Sequence, residues 1–131
     1  AALPHLLAAG HGSIVNVSSR QAERPSAGMA AYAASKGGLN ALTRALTVEY
    51  AAQDIRCNTL SPGYVFNDRR DADLDDARRA RLEGMHLTRL GTAQDAAYAA
   101  VYLASTESGF LTGVNLQLDG GSSIGRALTF G

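Results

Sequence analysis

The sequence has very little cysteine and no excess of charge of either sign. Its single cysteine, Cys57, cannot form a disulfide within the chain and matches no multi-cysteine zinc motif. We therefore expect a reducing, cytoplasmic setting and no metal site.

Twelve Lys and Arg balance twelve Asp and Glu, so the net charge is zero. No long-range field would draw such a chain to nucleic acid or to an anionic membrane, and we expect neither partner.

Long apolar runs and a leader sequence are also missing. No apolar run approaches the roughly 20 residues that span a bilayer, and residues 1–10 lack the basic start of a signal peptide. The chain has no initiator methionine, and residues 1–9 read like the tail of a helix, so we expect that residues precede Ala1. With 131 residues, of which 46% are hydrophobic, the chain fits one packed domain or a piece of one.

Hydrophobic periodicity predicts strands that alternate with helices. Short β-branched or alternating runs are typical of buried strands. A leucine stripe indicates the first of the two main helices, and a capping box indicates the start of the second. Strands separated by helices indicate a parallel α/β sheet with right-handed crossovers. The predicted strands are residues 13–17, 55–60 and 114–118; the predicted helices are residues 30–52, with the stripe Leu39, Leu42, Leu46 and Tyr50, and residues 93–104, capped at Thr92.

Residues 64–91 form a connection that is long for a compact domain and is typical of a lid or a binding loop. Five Asp and five Arg lie within residues 68–81, which fits a solvated helix better than a partner-binding surface. The glycine-rich turn at residues 120–125 lacks the following helix that a phosphate site needs, so we interpret it as part of a carboxyl-terminal tail. The three histidines, His5, His11 and His86, have no metal-like spacing and are interpreted as surface or helix-end residues.

Three polar groups are predicted to converge at one rim of the sheet. Ligands in an open parallel sheet lie beyond the carboxyl ends of the strands, where Ser19 follows the first strand. Tyr32 and Lys36 are four residues apart near the start of the long helix, so their side chains leave the same face. Ser18 is the alternative to Ser19 at this strand end. The predicted site therefore combines a hydroxyl, a phenol and an ammonium.

Such a trio is suited to proton transfer at an alcohol or ketone oxygen. A nearby cation stabilises a phenolate, so Lys36 would help Tyr32 to accept or return a proton near neutral pH, while Ser19 would hold the same oxygen. Lys36 is the only lysine among twelve basic residues. A compact ammonium can approach a phenol and a cofactor hydroxyl together more easily than a guanidinium can.

These residues resemble the active site of the classical short-chain dehydrogenase/reductases. Val17-Ser18-Ser19 is followed by Tyr32-Ala33-Ala34-Ser35-Lys36, with Tyr32 thirteen residues after Ser19. Further matches follow in the family's order over nearly the whole chain: residues 58–65, 89–91, 103–105, 112–113 and 118–121. The resemblance implies the carboxyl-terminal part of a doubly wound, Rossmann-like parallel sheet with three strands and flanking helices.

The resemblance also implies roles for particular residues. Tyr32 would be the acid/base, Lys36 would hold the nicotinamide ribose, and Ser19 would orient the oxygen of an alcohol or ketone substrate. Pro62, Gly63 and Val65 would meet the nicotinamide ring of NAD or NADP through their main chain. Asn67 departs from the family, which often has a contacting threonine there. Relatives are commonly tetramers, so the resemblance implies a homo-oligomer.

The family's glycine-rich phosphate turn and its cofactor-selecting residue do not occur in this chain and would precede Ala1. Two functions therefore stay open: an oxidoreductase that exchanges hydride between NAD(P) and an alcohol or ketone carbon, and a non-catalytic fragment or relic that cannot bind the cofactor alone. A serine hydrolase is disfavoured, because the sequence has no Gly-x-Ser-x-Gly motif. Without a partner strand, residues 13–17 would expose an apolar edge that favours association.

Overall fold

Three parallel strands form one sheet, and helices cover both of its faces. The structure, a computed structural model, describes residues 1–125. Side chains of adjacent strand residues point to opposite faces: in the first strand Ser13 donates to the Leu103 carbonyl of the last helix, whereas Asn16 donates to Thr43 of the long helix. The elements are α1 (Leu3–Ala9), β1 (Gly12–Val17), α2 (Ala30–Tyr50), β2 (Ile55–Pro62), α3 (Asp76–Glu83), α4 (Ala93–Ala104) and β3 (Asn115–Leu118).

The middle strand, β2, carries most of the buried core. β1 pairs with it from Gly12↔Ile55 to Val17↔Leu60, and β3 pairs with it from Thr59↔Asn115 to Pro62↔Leu118, both in parallel. The predicted parallel α/β sheet is therefore confirmed. Cys57 is fully buried, which raises the pKa of its thiol. Because the strands are parallel, the ends of all three meet at one rim.

The two most deeply buried residues of helix α2 are polar. Asn40 and Thr43 are its buried residues, and the Thr43 hydroxyl receives hydrogen bonds from Thr59 at 2.8 Å and from Asn16 at 2.9 Å. In the predicted leucine stripe, by contrast, Leu42 is 50% exposed. The helix was predicted correctly, and Leu39, Leu46 and Tyr50 of the stripe are half-buried. The two fully buried positions are polar, because the sheet surface below α2 offers hydroxyl and amide groups.

The connection between β2 and α4 contains the short helix α3. The Asp75 carboxylate caps its first turn by accepting from the Arg78 amide at 2.6 Å. No residue of α3 is buried, and Arg79 pairs with Glu83 at 3.1 Å along its surface. The charged segment is therefore a solvated helix over these residues, as predicted. An isolated parallel bridge between Val65 and Gly91 closes the base of the connection.

Both ends of helix α4 are held by side chains. At its start, Thr92 and Asp95 form the predicted capping box, and Arg89 binds the Asp95 carboxylate at 2.7 Å. The Arg89 hydrogen bond is the main reason why the pKa of Asp95 lies well below its usual range. At its other end, Arg56 of β2 donates to the carbonyl oxygens of Leu103 and Ser105 at 3.1 and 2.9 Å. These contacts position α4 against the sheet.

The glycine turn after β3 is closed by a carboxylate of the chain itself. The Asp119 carboxylate accepts from the amides of Gly121 at 3.0 Å and Ser123 at 2.8 Å. Burial acts to raise the pKa of Asp119, but hydrogen bonds from Ser123, Gly121 and Ser122 outweigh it and lower the pKa. Two amides that a phosphate would need are thus already bound. The remainder of the predicted tail, residues 126–131, lies outside the described residues.

β1 lies at one edge of the sheet as described over residues 1–125, where β2 is its one partner strand. Its last residue, Val17, is 55% exposed. No helix in this part of the chain is both long enough and apolar enough to cross a membrane.

Candidate active site

The two serines after β1 have different environments. Ser18 is buried and its hydroxyl donates to the Lys36 carbonyl at 3.1 Å, which ties the strand end to α2. Ser19 is half-buried, its Oγ accepts from the Gln21 amide at 3.2 Å, and it lines a cavity at the rim of the sheet. Of the two alternatives, Ser19 is the serine that a ligand in this cavity could reach.

Tyr32 and Lys36 lie on the first two turns of α2, beside the end of β1. The Tyr32 side chain is 42% exposed and lines the same cavity as Ser19. The Lys36 ammonium lies 5.7 Å from the centroid of the Tyr32 ring and donates to the Val17 carbonyl at 2.8 Å. The fold therefore brings the predicted hydroxyl, phenol and ammonium to one rim.

The cavity has a volume of about 320 Å³ and is open to solvent. Pro62 and Gly63, at the end of β2, form part of its wall, whereas Lys36 and Val65 are not among its lining residues. Val65 instead pairs with Gly91 through its main chain. The lining residues are Ser19, Arg20, Gln21, Met29, Tyr32, Pro62, Gly63, Tyr64, Arg70, Leu82 and Met85.

Close packing explains the glycine at position 63. A Cβ built there would lie 2.9 Å from the Asp119 Cα and 3.0 Å from the His86 Nε2. Both distances are shorter than ordinary van der Waals contact, so even alanine would push the turn away from β3. Because Gly63 has no side chain, the turn can lie close to the end of β3 and to the ring of His86.

His86 is buried, so the interpretation of this residue as a surface histidine is wrong, although it does follow the end of α3. Its Nδ1 lies 2.9 Å from the Leu82 carbonyl and its Nε2 accepts from the Tyr64 amide at 3.2 Å. Those partners require the neutral tautomer with the proton on Nδ1. No sequence spacing marks this role, because both partners are main-chain groups.

A second cluster that sequence reasoning missed joins Tyr64, Arg70 and Asp71. The buried Asp71 carboxylate accepts from the Tyr64 hydroxyl at 2.7 Å and from Arg70 Nε and Nη2 at 2.9 and 2.8 Å. The hydrogen bond from Arg70 is the main cause that holds the pKa of Asp71 well below its usual range, and Asp71 in turn raises the pKa of Arg70. Burial, and then the bond to Asp71, raise the pKa of Tyr64.

Asn67 has a defined place in this loop. Its side-chain oxygen accepts from the main-chain amides of Arg69 and Arg70 at 3.1 and 3.0 Å. Its main-chain amide donates to the Asp71 carboxylate at 2.8 Å. The side chain at this position therefore closes a turn of the loop. Over residues 1–125, no group of three or more His, Cys, Asp or Glu residues could hold a metal ion.

Comparison with known proteins places the chain in a family. The family model described as enoyl-(acyl carrier protein) reductase matches residues 1–123. The chain is 41% identical over 117 residues to 3-oxoacyl-(acyl-carrier-protein) reductase FabG of Chlamydia pneumoniae, covering 89% of this chain and 47% of the relative. It is 39% identical to acetoacetyl-CoA reductase of Allochromatium vinosum, covering 88% and 47%.

A solved structure agrees with these sequence relatives. The gluconate 5-dehydrogenase of Burkholderia cenocepacia, in complex with NADP and tartrate, superimposes with a TM-score of 0.86 at 34% identity, covering 94% of this chain and 49% of that one. The chain thus spans about half the length of the relatives it matches. On the family-model match and these likenesses, the chain belongs to the short-chain dehydrogenase/reductase family.

Proposed function

We propose that this chain supplies the proton-transfer and substrate-binding half of an NAD(P)-dependent oxidoreductase that acts on an alcohol or ketone carbon. One observation carries the proposal: Ser19 and Tyr32 line the same cavity as the Pro62–Gly63 turn, with the Lys36 ammonium 5.7 Å from the Tyr32 ring. This arrangement supports the proposal, because two hydroxyl groups of one cavity could hold the same substrate oxygen with a cation close by.

In this proposal Tyr32 exchanges the proton and Ser19 positions the oxygen. During oxidation, the alcohol oxygen gives its proton to the Tyr32 phenolate while the carbon loses a hydride; during reduction, the Tyr32 hydroxyl returns the proton to the oxygen of the carbonyl. The nicotinamide cofactor, when bound, accepts or supplies the hydride. Ser19 donates a hydrogen bond to the same oxygen, which keeps the reacting carbon in one orientation.

The residues at the rim fit the nicotinamide ribose end of such a cofactor. An ammonium has three N–H donors, and one of those on Lys36 binds the Val17 carbonyl. The remaining donors can bind ribose hydroxyls without breaking that contact. The main chain at Pro62 and Gly63 would lie against the nicotinamide ring, and Val65 would act indirectly, through the conformation of the turn.

The relatives support the same activity class. Two are named as reductases of 3-oxoacyl and acetoacetyl thioesters, and the solved relative contains NADP. Because the chain spans about half of their length, we propose that residues outside it bind the cofactor phosphates and select NAD or NADP. Residues 1–131 would then be one part of a larger Rossmann-like domain. A homo-oligomer and a cytoplasmic location stay predictions.

A non-catalytic chain is the second candidate function. The observation that favours it is the unpaired outer edge of β1 within the described residues, next to the proposed site. In that case the site residues would be present, but neither cofactor nor substrate would be turned over.

A fusion protein would decide between the two candidates. The chain is joined to the amino-terminal half of the A. vinosum acetoacetyl-CoA reductase, and NADPH or NADH oxidation is followed with a panel of ketones. We expect turnover that falls about 10²- to 10⁴-fold in Tyr32→Phe, the usual contribution of a general acid/base. Tyr98→Phe is the matched control, because Tyr98 is an exposed tyrosine on α4 away from the cavity. Turnover that survives Tyr32→Phe, or no turnover with any ketone, would contradict the catalytic proposal.

A further inference from the structure

Arg70 lines the cavity of Ser19 and Tyr32 and is held in one orientation. Its Nε and Nη2 donate to the two oxygens of Asp71, and Nη2 also donates to the Val65 carbonyl at 2.8 Å. The guanidinium carbon lies 4.7 Å from the centroid of the Tyr64 ring. These contacts hold the Arg70 guanidinium at one edge and at one face. The side chain therefore loses little conformational entropy when it binds a ligand.

The contacts of Arg70 leave one nitrogen of the guanidinium unused. A guanidinium has five N–H donors, and the hydrogen bonds to Asp71 and Val65 involve Nε and Nη2. Among the described residues no hydrogen bond is made by Nη1. The Arg70 side chain is 57% exposed, whereas Asp71 is buried beneath it. Arg70 is therefore a preoriented cation with two free donors, at the boundary between this cavity and a second one that Asp71 and Asp73 also line.

The charge of the cavity wall has a single sign. Its charged residues are Arg20 and Arg70, and no acidic side chain is among the described residues that line it. Arg20 is engaged within the chain, with the Arg24 carbonyl and the Ser26 hydroxyl among its partners, so the argument depends on Arg70 alone. Asp71 balances the charge of Arg70 only from the buried side. An anionic group would therefore meet donors and positive charge in this cavity, without a facing carboxylate to repel it.

We infer that Arg70 binds a carboxylate of the substrate, so that the alcohol or ketone taken by this site is a hydroxy acid or an oxo acid. The inference rests on the proposed function, because the reacting carbon is placed at Ser19 and Tyr32. A cavity of about 320 Å³ is at the small end of ligand pockets, which fits a compact acid. A charged hydrogen bond of this kind corresponds to a preference of about tenfold or more over a neutral analogue.

The first test compares acids with their amides. The probes are 3-oxobutanoate, 4-oxopentanoate and 5-oxohexanoate, each beside its primary amide, which keeps the ketone and removes the charge. Turnover of each pair is measured with the fusion protein. We expect kcat/KM for at least one acid to exceed that of its amide by about tenfold or more. Equal values for all three pairs would overturn the inference while leaving the proposed function in place.

Two variants separate recognition from loop stability. Arg70→Gln alone leaves the buried Asp71 carboxylate unpaired, whereas Arg70→Gln combined with Asp71→Asn removes both charges together. A merely structural role of Arg70 would lower the turnover of acid and amide by the same factor. Recognition predicts that the acid-to-amide ratio falls toward one in both variants while amide turnover persists. A ratio that is unchanged in both variants would overturn the inference.

Binding to the chain itself gives a readout that needs no turnover. Chemical shifts of the Arg70 Nε–H group and of the Tyr64 amide are followed by NMR as 4-oxopentanoate or its amide is added. Tighter binding of the acid that disappears in the double variant, without turnover of any ketone by the fusion protein, would support the carboxylate site and contradict the proposed function. No difference between acid and amide in either experiment would overturn the inference.

Discussion

The ammonium of Lys36 donates a 2.8 Å hydrogen bond to the main-chain oxygen of Val17, the last residue of β1. This bond crosses from α2 to the strand end at the rim where Ser19 and Tyr32 meet. Lys36 therefore has a structural partner in addition to its proposed role beside Tyr32. Its two contributions can be measured separately.

Replacement of Lys36 by methionine should affect both stability and function. Lys36→Met keeps the aliphatic stem but removes the bond to Val17, so we expect the free energy of unfolding of the chain to fall by about 1 kcal/mol. In the fusion protein, cofactor affinity and kcat should both fall. Lys36→Arg keeps a charged donor and should recover the stability more fully than the cofactor affinity, since its planar fork fits a ribose hydroxyl less well. Urea unfolding and cofactor titration provide the two readouts, and an unchanged urea midpoint in Lys36→Met would show that the Val17 bond contributes nothing.

Gly63→Ala should destabilise the chain. The new Cβ would lie 2.9 Å from the Asp119 main chain, and overpacking of this kind costs about 1–3 kcal/mol. Gly38→Ala, in the interior of α2, is the matched control. Nothing lies within 4 Å of a Cβ at Gly38, so alanine there should stabilise the helix by about 0.5–1 kcal/mol. Unfolding by urea measures both variants, and the packing argument fails if they change stability in the same direction.

His86 should stabilise the turn through the acceptor on its ring. His86→Leu removes the partner of the Tyr64 amide, which is part-buried, and a fully buried donor left unsatisfied costs about 1–3 kcal/mol, so the loss here should lie toward the lower end. His86→Gln can restore an acceptor and should recover part of the loss. Hydrogen exchange of the Tyr64 amide gives a local readout, because this amide should lose protection in the leucine variant. Equal protection in wild type and His86→Leu would mean that the ring does not hold the turn.

The cluster around Asp71 should make the stability of the loop depend on pH. Arg70 holds the pKa of Asp71 below its ordinary value, so the carboxylate binds its proton more weakly in the folded chain than in the unfolded chain. Its stabilising contribution is therefore fully present above the ordinary value near pH 4 and is lost as the pH falls through the lower folded value. Melting temperatures measured from pH 2 to 6 should show this loss in wild type and a smaller one in Asp71→Asn. Asp73→Asn, at an exposed position, should follow the wild-type curve.

The free edge of β1 should favour association of the isolated chain. Over residues 1–125 this strand pairs with β2 alone, and Val17 is exposed at its end. Unpaired apolar edges add further strands, and a charged side chain at the edge opposes this. Light scattering should show larger species as concentration rises, and fewer of them with Val17→Lys. A monodisperse monomer at all concentrations would contradict the prediction.

Much of the fold and the candidate site could be predicted from local patterns. The order of strands and helices, the capping box at Thr92 and the approach of Ser19, Tyr32 and Lys36 to one rim follow from periodicity and spacing along the chain. Such signals are readable because each depends on residues within a few positions of one another, or on the rule that parallel strands end at one rim.

Tertiary packing decided the rest. Thr43 is buried in α2 because it meets Thr59 and Asn16 of the sheet, and no periodicity within α2 could show these contacts. His86 binds the Tyr64 main chain, and Gly63 is needed because Asp119 approaches it; main-chain partners leave no pattern in side-chain identity. The sequence by itself therefore determined which groups reach the rim. The tertiary structure decided what holds them there, because those contacts join residues that are distant along the chain.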